Sequence, residues 1–191
     1  MNIKIDWAAR TLDINQGNFY ANHYFVLISW TGNFSLPMIH TLSENNRNFV
    51  TLGAFPENEG EILNLENMIF KANHTSDVLK ARVLLNGSGT DSFSSFRNEV
   101  SPPTDSPSSF AKTLTRMAFH YRQHSSQHPI NYEAVEPSSN SWVNSLFKAA
   151  GVCDDQLSQL RDFRRLDIAE HLEFRQSILD FEDLVLFNSY H

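Results

Sequence analysis

Residues 24–30 read YFVLISW, a nearly unbroken apolar run in which only Ser29 is polar. A strand with one solvated face alternates apolar and polar side chains; a run that does not alternate fits a strand buried on both faces. It is far shorter than the roughly 20 residues that a membrane helix requires. The run therefore predicts a central strand of an antiparallel sheet. The stretch before it, NIKIDW (2–7), alternates and reads as a partly exposed strand. TGN (31–33) is a turn signal, and FSLPMIHTL (34–42) and NFVTLGAF (48–55) are further strand candidates. VLKARVLLNG (78–87) suits strand or helix, with strand favoured towards its end, where Asn86-Gly87 breaks it.

The second half changes period. After a loop-rich stretch, 87–109, that could hold a short helix near 93–100, Phe110, Leu114, Met117, Ala118 and Tyr121 fall on one face of a 3.6-residue repeat. Ser108 or Ser109 is expected to cap that helix, and Pro129 to end it. A second helix follows Pro137, with Trp142, Val143, Leu146, Phe147 and Ala150 on its apolar face and Gly151 as its C′ residue. Charged helical sequence fills 154–187. The fold class expected is α+β: a small, mostly antiparallel sheet followed by packed helices. Residues 1–152 form the main domain in this reading, and 153–191 a helical extension packed on it.

Bulk properties exclude several functions. The 191 residues carry a net charge of −7, with no Lys/Arg cluster that overrides it, which argues against nucleic acid as a partner. No apolar run suits a membrane span, and MNIKIDWAAR lacks the parts of a signal peptide. The expectation is a cytoplasmic chain, or one exported without a cleavable signal. One cysteine, Cys153, rules out an internal disulfide and a thiolate zinc site. His120, His124 and His128 share a helical spacing, but Pro129 disfavours helix at His128 and no further ligand stands at a recognisable spacing. A solvated helix end is expected there, with no metal. LNGSGTDS (85–92) lacks the lysine and spacing of a phosphate loop, so no cofactor is expected.

Candidate chemistry sits in two places. Ser138, Ser139, Asn140, Ser141 and Asn144 crowd a helix start that needs one cap. His23 stands where the YFVLISW strand begins. Each has a plain reading, capping for the first and a polar strand end for the second. Each also has a reactive one. A serine hydroxyl needs a base in direct contact, and free N–H groups at a helix start suit an oxyanion.

SSNSW (138–142) resembles the Asn-Cys-Asn/Glu-x-aromatic stretch of circularly permuted papain-like enzymes, the NlpC-type peptidases and lecithin:retinol acyltransferase-like proteins. Ser139 stands in the Cys position. NHYFVLISWTGN (22–33) is similar to their histidine-bearing strand. The similarity spans about residues 20–152, through short motifs only. It implies a permuted papain-like order, with Ser139 as nucleophile, His23 as base, and His40 as the most suggestive third member. Asn140 and Ser141 would frame the substrate, with Ser141 the alternative nucleophile. The implied function is hydrolysis or acyl transfer on an amide or ester; by analogy alone, the substrates would be those of a bacterial effector, peptidoglycan peptides or lipid esters. The departure from the family pattern is the serine itself: a helix dipole that favours a thiolate does not ionise a hydroxyl. The rival reading is a non-catalytic binding module on the same scaffold, with a protein partner held in its cleft or by its C-terminal helices.

Overall fold

The computed structural model describes residues 1–13, 20–57, 66–87, 97–126, 131–132 and 139–162. The strands in chain order are β1 (Asn2–Asp13), β2 (Tyr20–Thr31), β3 (Leu42–Glu44), β4 (Arg47–Pro56), β5 (Glu66–Ala72), β6 (Arg97–Glu99) and β7 (Asn131–Tyr132). The helices are α1 (Thr75–Leu85), α2 (Pro107–Ser125), α3 (Ser139–Ala149) and α4 (Asp154–Asp162). The strands lie in the order β6-β1-β2-β4-β5-β7, with β3 paired to β4, and all these pairings are antiparallel. The fold is α+β, and β2 is central, between β1 and β4.

Register sorts the side chains of the sheet between two layers. Val26 opposes Leu52, and Trp7 opposes Val26. With Tyr24, Ile28 and Trp30 they face α2 and α3, in a core that includes Phe110, Leu114, Tyr121, Trp142 and Phe147. The alternate residues Ala8, Phe25, Leu27 and Phe49 face α1 and pack on its Ala81 and Leu84. The run at 24–30 is apolar throughout because both of its faces are covered. The amphipathic face expected on α2 is the one it buries.

Four sequence expectations are corrected. Residues 78–85 belong to α1, with no strand at their end. Its inward positions Asp77, Ala81 and Leu84 have helical spacing, but Leu79 and Val83 are apolar and exposed, which blurs the period. The segment 34–41 is irregular rather than strand, with a turn at Pro37 and Met38. Pro37 has no N–H to give a ladder, and Met38 takes a left-handed φ of 64°. Arg97–Glu99 form a strand on β1, where a helix was expected; residues 88–96 lie outside the described residues. The cap of α2 is Ser106, whose Oγ accepts from the Ser109 N–H at 3.3 Å, with Pro107 in the first helical position. β5 was not anticipated at all.

Two terminations follow local chemistry. Asn45 and Asn46 both take positive φ, 47° and 60°, and close a two-residue hairpin between Glu44 and Arg47. Gly151, at φ 92°, ends α3: its N–H donates to the Lys148 carbonyl and the Val152 N–H to that of Phe147, both at 3.0 Å. α4 then returns Leu157 to the core. Residues 163–191 of the expected extension lie outside the described residues. No helix among the described residues is long and apolar enough to cross a membrane.

Candidate functional site

The α1 face of the sheet holds a buried polar cluster. Cross-strand pairing puts Arg10 of β1 opposite His23 of β2. Asp77, in the first turn of α1, descends between them. Its side chain is fully buried, and its Oδ1 accepts from Arg10 Nε at 2.8 Å. Its Oδ2 lies 3.3 Å from His23 Nε2, and a carboxylate oxygen makes that nitrogen the donor. Gly53 of β4 permits this approach: a Cβ there would stand 2.7 Å from Asp77 Oδ2 and 2.9 Å from the Phe55 ring. The acidic residue also complements the positive end of α1, whose cap position, His74, makes no side-chain cap bond.

Burial dominates the electrostatics of His23. Its pKa is pushed below the ordinary 6.5, chiefly by desolvation, with opposing help from the Asp77 charge. The ring is therefore neutral at neutral pH. Phe55 packs on it at 4.5 Å between centroids, and His74 packs on Phe55 at 4.0 Å. Arginine, aspartate and histidine together tie β1, β2 and α1. Chemically this is a positioned, neutral imidazole, enclosed and with 2% of its surface exposed.

The structure does not bring the predicted catalytic residues together. α3 crosses the opposite face of the sheet. Near its start Trp142 stacks on Phe70 of β5, and near its end Phe147 meets Trp7 of β1. Ser139, at the first position of α3, thus begins on the β5 side, whereas His23 points from β2 into the α1 layer. The side chains of Ser139 and Asn140 lie outside the described residues. Ser141 is buried, 2% exposed, and Ser145 beside it on the helix is 1% exposed. His40 is exposed in the segment after β2; its carbonyl accepts from Asn73 Nδ2 at 2.6 Å. The place expected for His40 beside the imidazole belongs to Asp77, which sequence reasoning missed. Asp77 follows HTS (74–76) at a helix start, but a first-turn acid there reads as ordinary dipole chemistry.

A cleft of about 1090 Å³ lies beside this layer. Its walls come from β5, α1, α2 and the segment around Met38–Leu42, and His74 joins it to the stacked rings. Among the described residues, Lys71, Arg82 and Arg122 line it, with Glu57 as the carboxylate. Arg82 is partly engaged, its Nε 3.4 Å from Glu44 Oε2 outside the cleft. No group of three His, Cys, Asp or Glu side chains that could hold a metal occurs among the described residues. Comparison with protein-family models, curated proteins and solved structures returns no match for this chain.

Proposed function

We propose that this chain is a binding module that does no serine chemistry, and that the cleft between β5, α1 and α2 is where its partner sits. The observation that carries this reading is the sheet between the two halves of the expected dyad. His23 spends its Nε2 on Asp77 in the α1 layer, while Ser139 opens a helix of the α3 layer. A serine needs its base in hydrogen-bond reach to become a nucleophile. The buried triad is structural in this reading: it anchors the first turn of α1 and so sets one wall of the cleft. The large open cleft with polar and apolar lining suits recognition.

A fluorophosphonate probe with peptide mass spectrometry tests the proposal. The expected outcome is no labelling at Ser139. Labelling there that disappears in His23→Ala would restore the hydrolase. Ser139→Cys adds a second measure, in which the thiol is expected to react with iodoacetamide at the rate of an ordinary, unactivated cysteine.

A further inference from the structure

We infer that the cleft takes an extended, acidic segment of a partner protein in which acidic and apolar side chains are interspersed. This rests on the binding-module reading. Three of its walls, β5, α1 and α2, offer the same pair of surfaces. On β5, Ile69 and Lys71 are two residues apart and so share one face of the strand. On α1, Leu79 and Arg82 are three apart, one turn along the helix; on α2, Phe119 and Arg122 repeat that spacing. An apolar side chain next to a cation therefore occurs three times around one cavity. Leu79, at 58% exposure, and Met38, at 65%, are large apolar side chains held in water at this site. Met38 is kept there in a left-handed backbone conformation.

Charge selects the occupant. The chain carries −7 in all, yet among the described residues this cleft is lined by more Lys and Arg side chains than carboxylates. Arg122 is exposed and meets no carboxylate among the described residues. Acidic side chains would find partners in these cations. A nucleic acid would also meet these cations, but it would meet the repulsion of the whole molecule at every phosphate outside the cleft and would leave Met38 and Leu79 in water. Size points the same way: the cavity is at the upper end of, or beyond, the about 300–1,000 Å³ typical of small-molecule sites.

The test is fluorescence anisotropy with the full chain and three labelled probes of equal length: a peptide interspersing Leu and Phe with Glu, the same peptide with Gln for Glu, and a single-stranded oligonucleotide. Saturable binding of the acidic peptide is expected, weakening as salt rises, with the Gln peptide much poorer and the oligonucleotide not competing. Arg122→Glu should weaken the acidic peptide about fivefold or more, from a lost pair plus a new repulsion. Leu79→Ser should weaken both peptides alike. Both residues are exposed, and an unchanged thermal midpoint confirms each fold. Equal binding of the Glu and Gln peptides overturns the inference, as does competition by the oligonucleotide, or no saturable binding. Any of these with Ser139 unlabelled by the fluorophosphonate removes the ligand class and leaves the binding-module reading standing; labelled Ser139 removes that reading itself.

Discussion

The two faces of the central sheet are built from different chemistry. The face under α2 and α3 is aromatic and apolar, with Trp7, Tyr24, Trp30, Phe70, Trp142 and Phe147 in contact across elements. The face under α1 interleaves apolar residues with buried Asp6, His23, Ser29, Thr51 and Asp77. Non-directional burial stabilises the first. It tolerates small shifts and drives collapse. The second works only where donors meet acceptors, because an unpaired buried polar group costs about 1–3 kcal/mol. Among the described residues, Asp6 Oδ2, Ser29 Oγ and Thr51 Oγ1 on that face have no hydrogen-bond partner, so its polar content is only partly satisfied. The apolar face supplies stability, and the polar face fixes where one helix sits.

Large truncations should break the two faces differently. Trp142→Ala removes a fully buried indole and is expected to cost about 3–5 kcal/mol in denaturant titrations. No polar compensation should recover that loss. Asp77→Ala is expected to cost about 3–5 kcal/mol, since it leaves the Arg10 charge uncompensated and the His23 Nε2–H without its acceptor. Here recovery is the sharper test. Replacing Arg10, His23 and Asp77 together by apolar residues of similar volume should return most of the stability, as substitution of a buried ion pair often does. Failure of the triple variant to improve on Asp77→Ala would show that the face depends on charge itself.

A smaller effect is expected at Gly53. Gly53→Ala drives a Cβ against Asp77 and Phe55 and should cost about 1–3 kcal/mol. The same change in an Asp77→Ala background should cost less, because one of the two clashing groups is gone. Additive losses would mean that Gly53 is needed for another reason.

The smallest effect is a pH slope. His23 has a folded pKa below its unfolded 6.5, so the unfolded chain binds the extra proton first. Stability should be unaffected by His23 above pH 6.5 and fall as pH drops from 6.5 towards the folded value. Asp6, raised above 3.8 by burial, acts in the opposite sense: its contribution falls as pH rises from 3.8 towards its own folded value. Comparing His23→Phe with the parent isolates the imidazole. Thermal midpoints of the variant should decline less between pH 6.5 and 5; parallel curves would show that His23 does not titrate on unfolding.

How far the chain could be read shows in particular residues. The run at 24–30 and the face of Phe110, Leu114, Met117 and Tyr121 were legible, because burial imposes a period that composition displays directly. Gly151 was legible as a helix terminator for the equally local reason that it takes positive φ cheaply. α1 was not, since Leu79 and Val83 turn outwards and erase its period. His23 stands out in the sequence, but the group against its Nε2, Asp77, does not. Strand register decides which way a side chain points, and a shift of one residue reverses it.

Sequence by itself therefore determined the class of the fold, the central strand and the helix that crosses the sheet, all consequences of where apolar side chains recur along the chain. The tertiary structure alone decided that His23 faces α1, that Asp77 and Arg10 close on it, and that α3 runs on the far side. Those outcomes depend on residues 54 and 67 positions apart meeting across a sheet. Spacing along a chain carries local periodicity. It carries no record of which face of a strand a distant helix will cover.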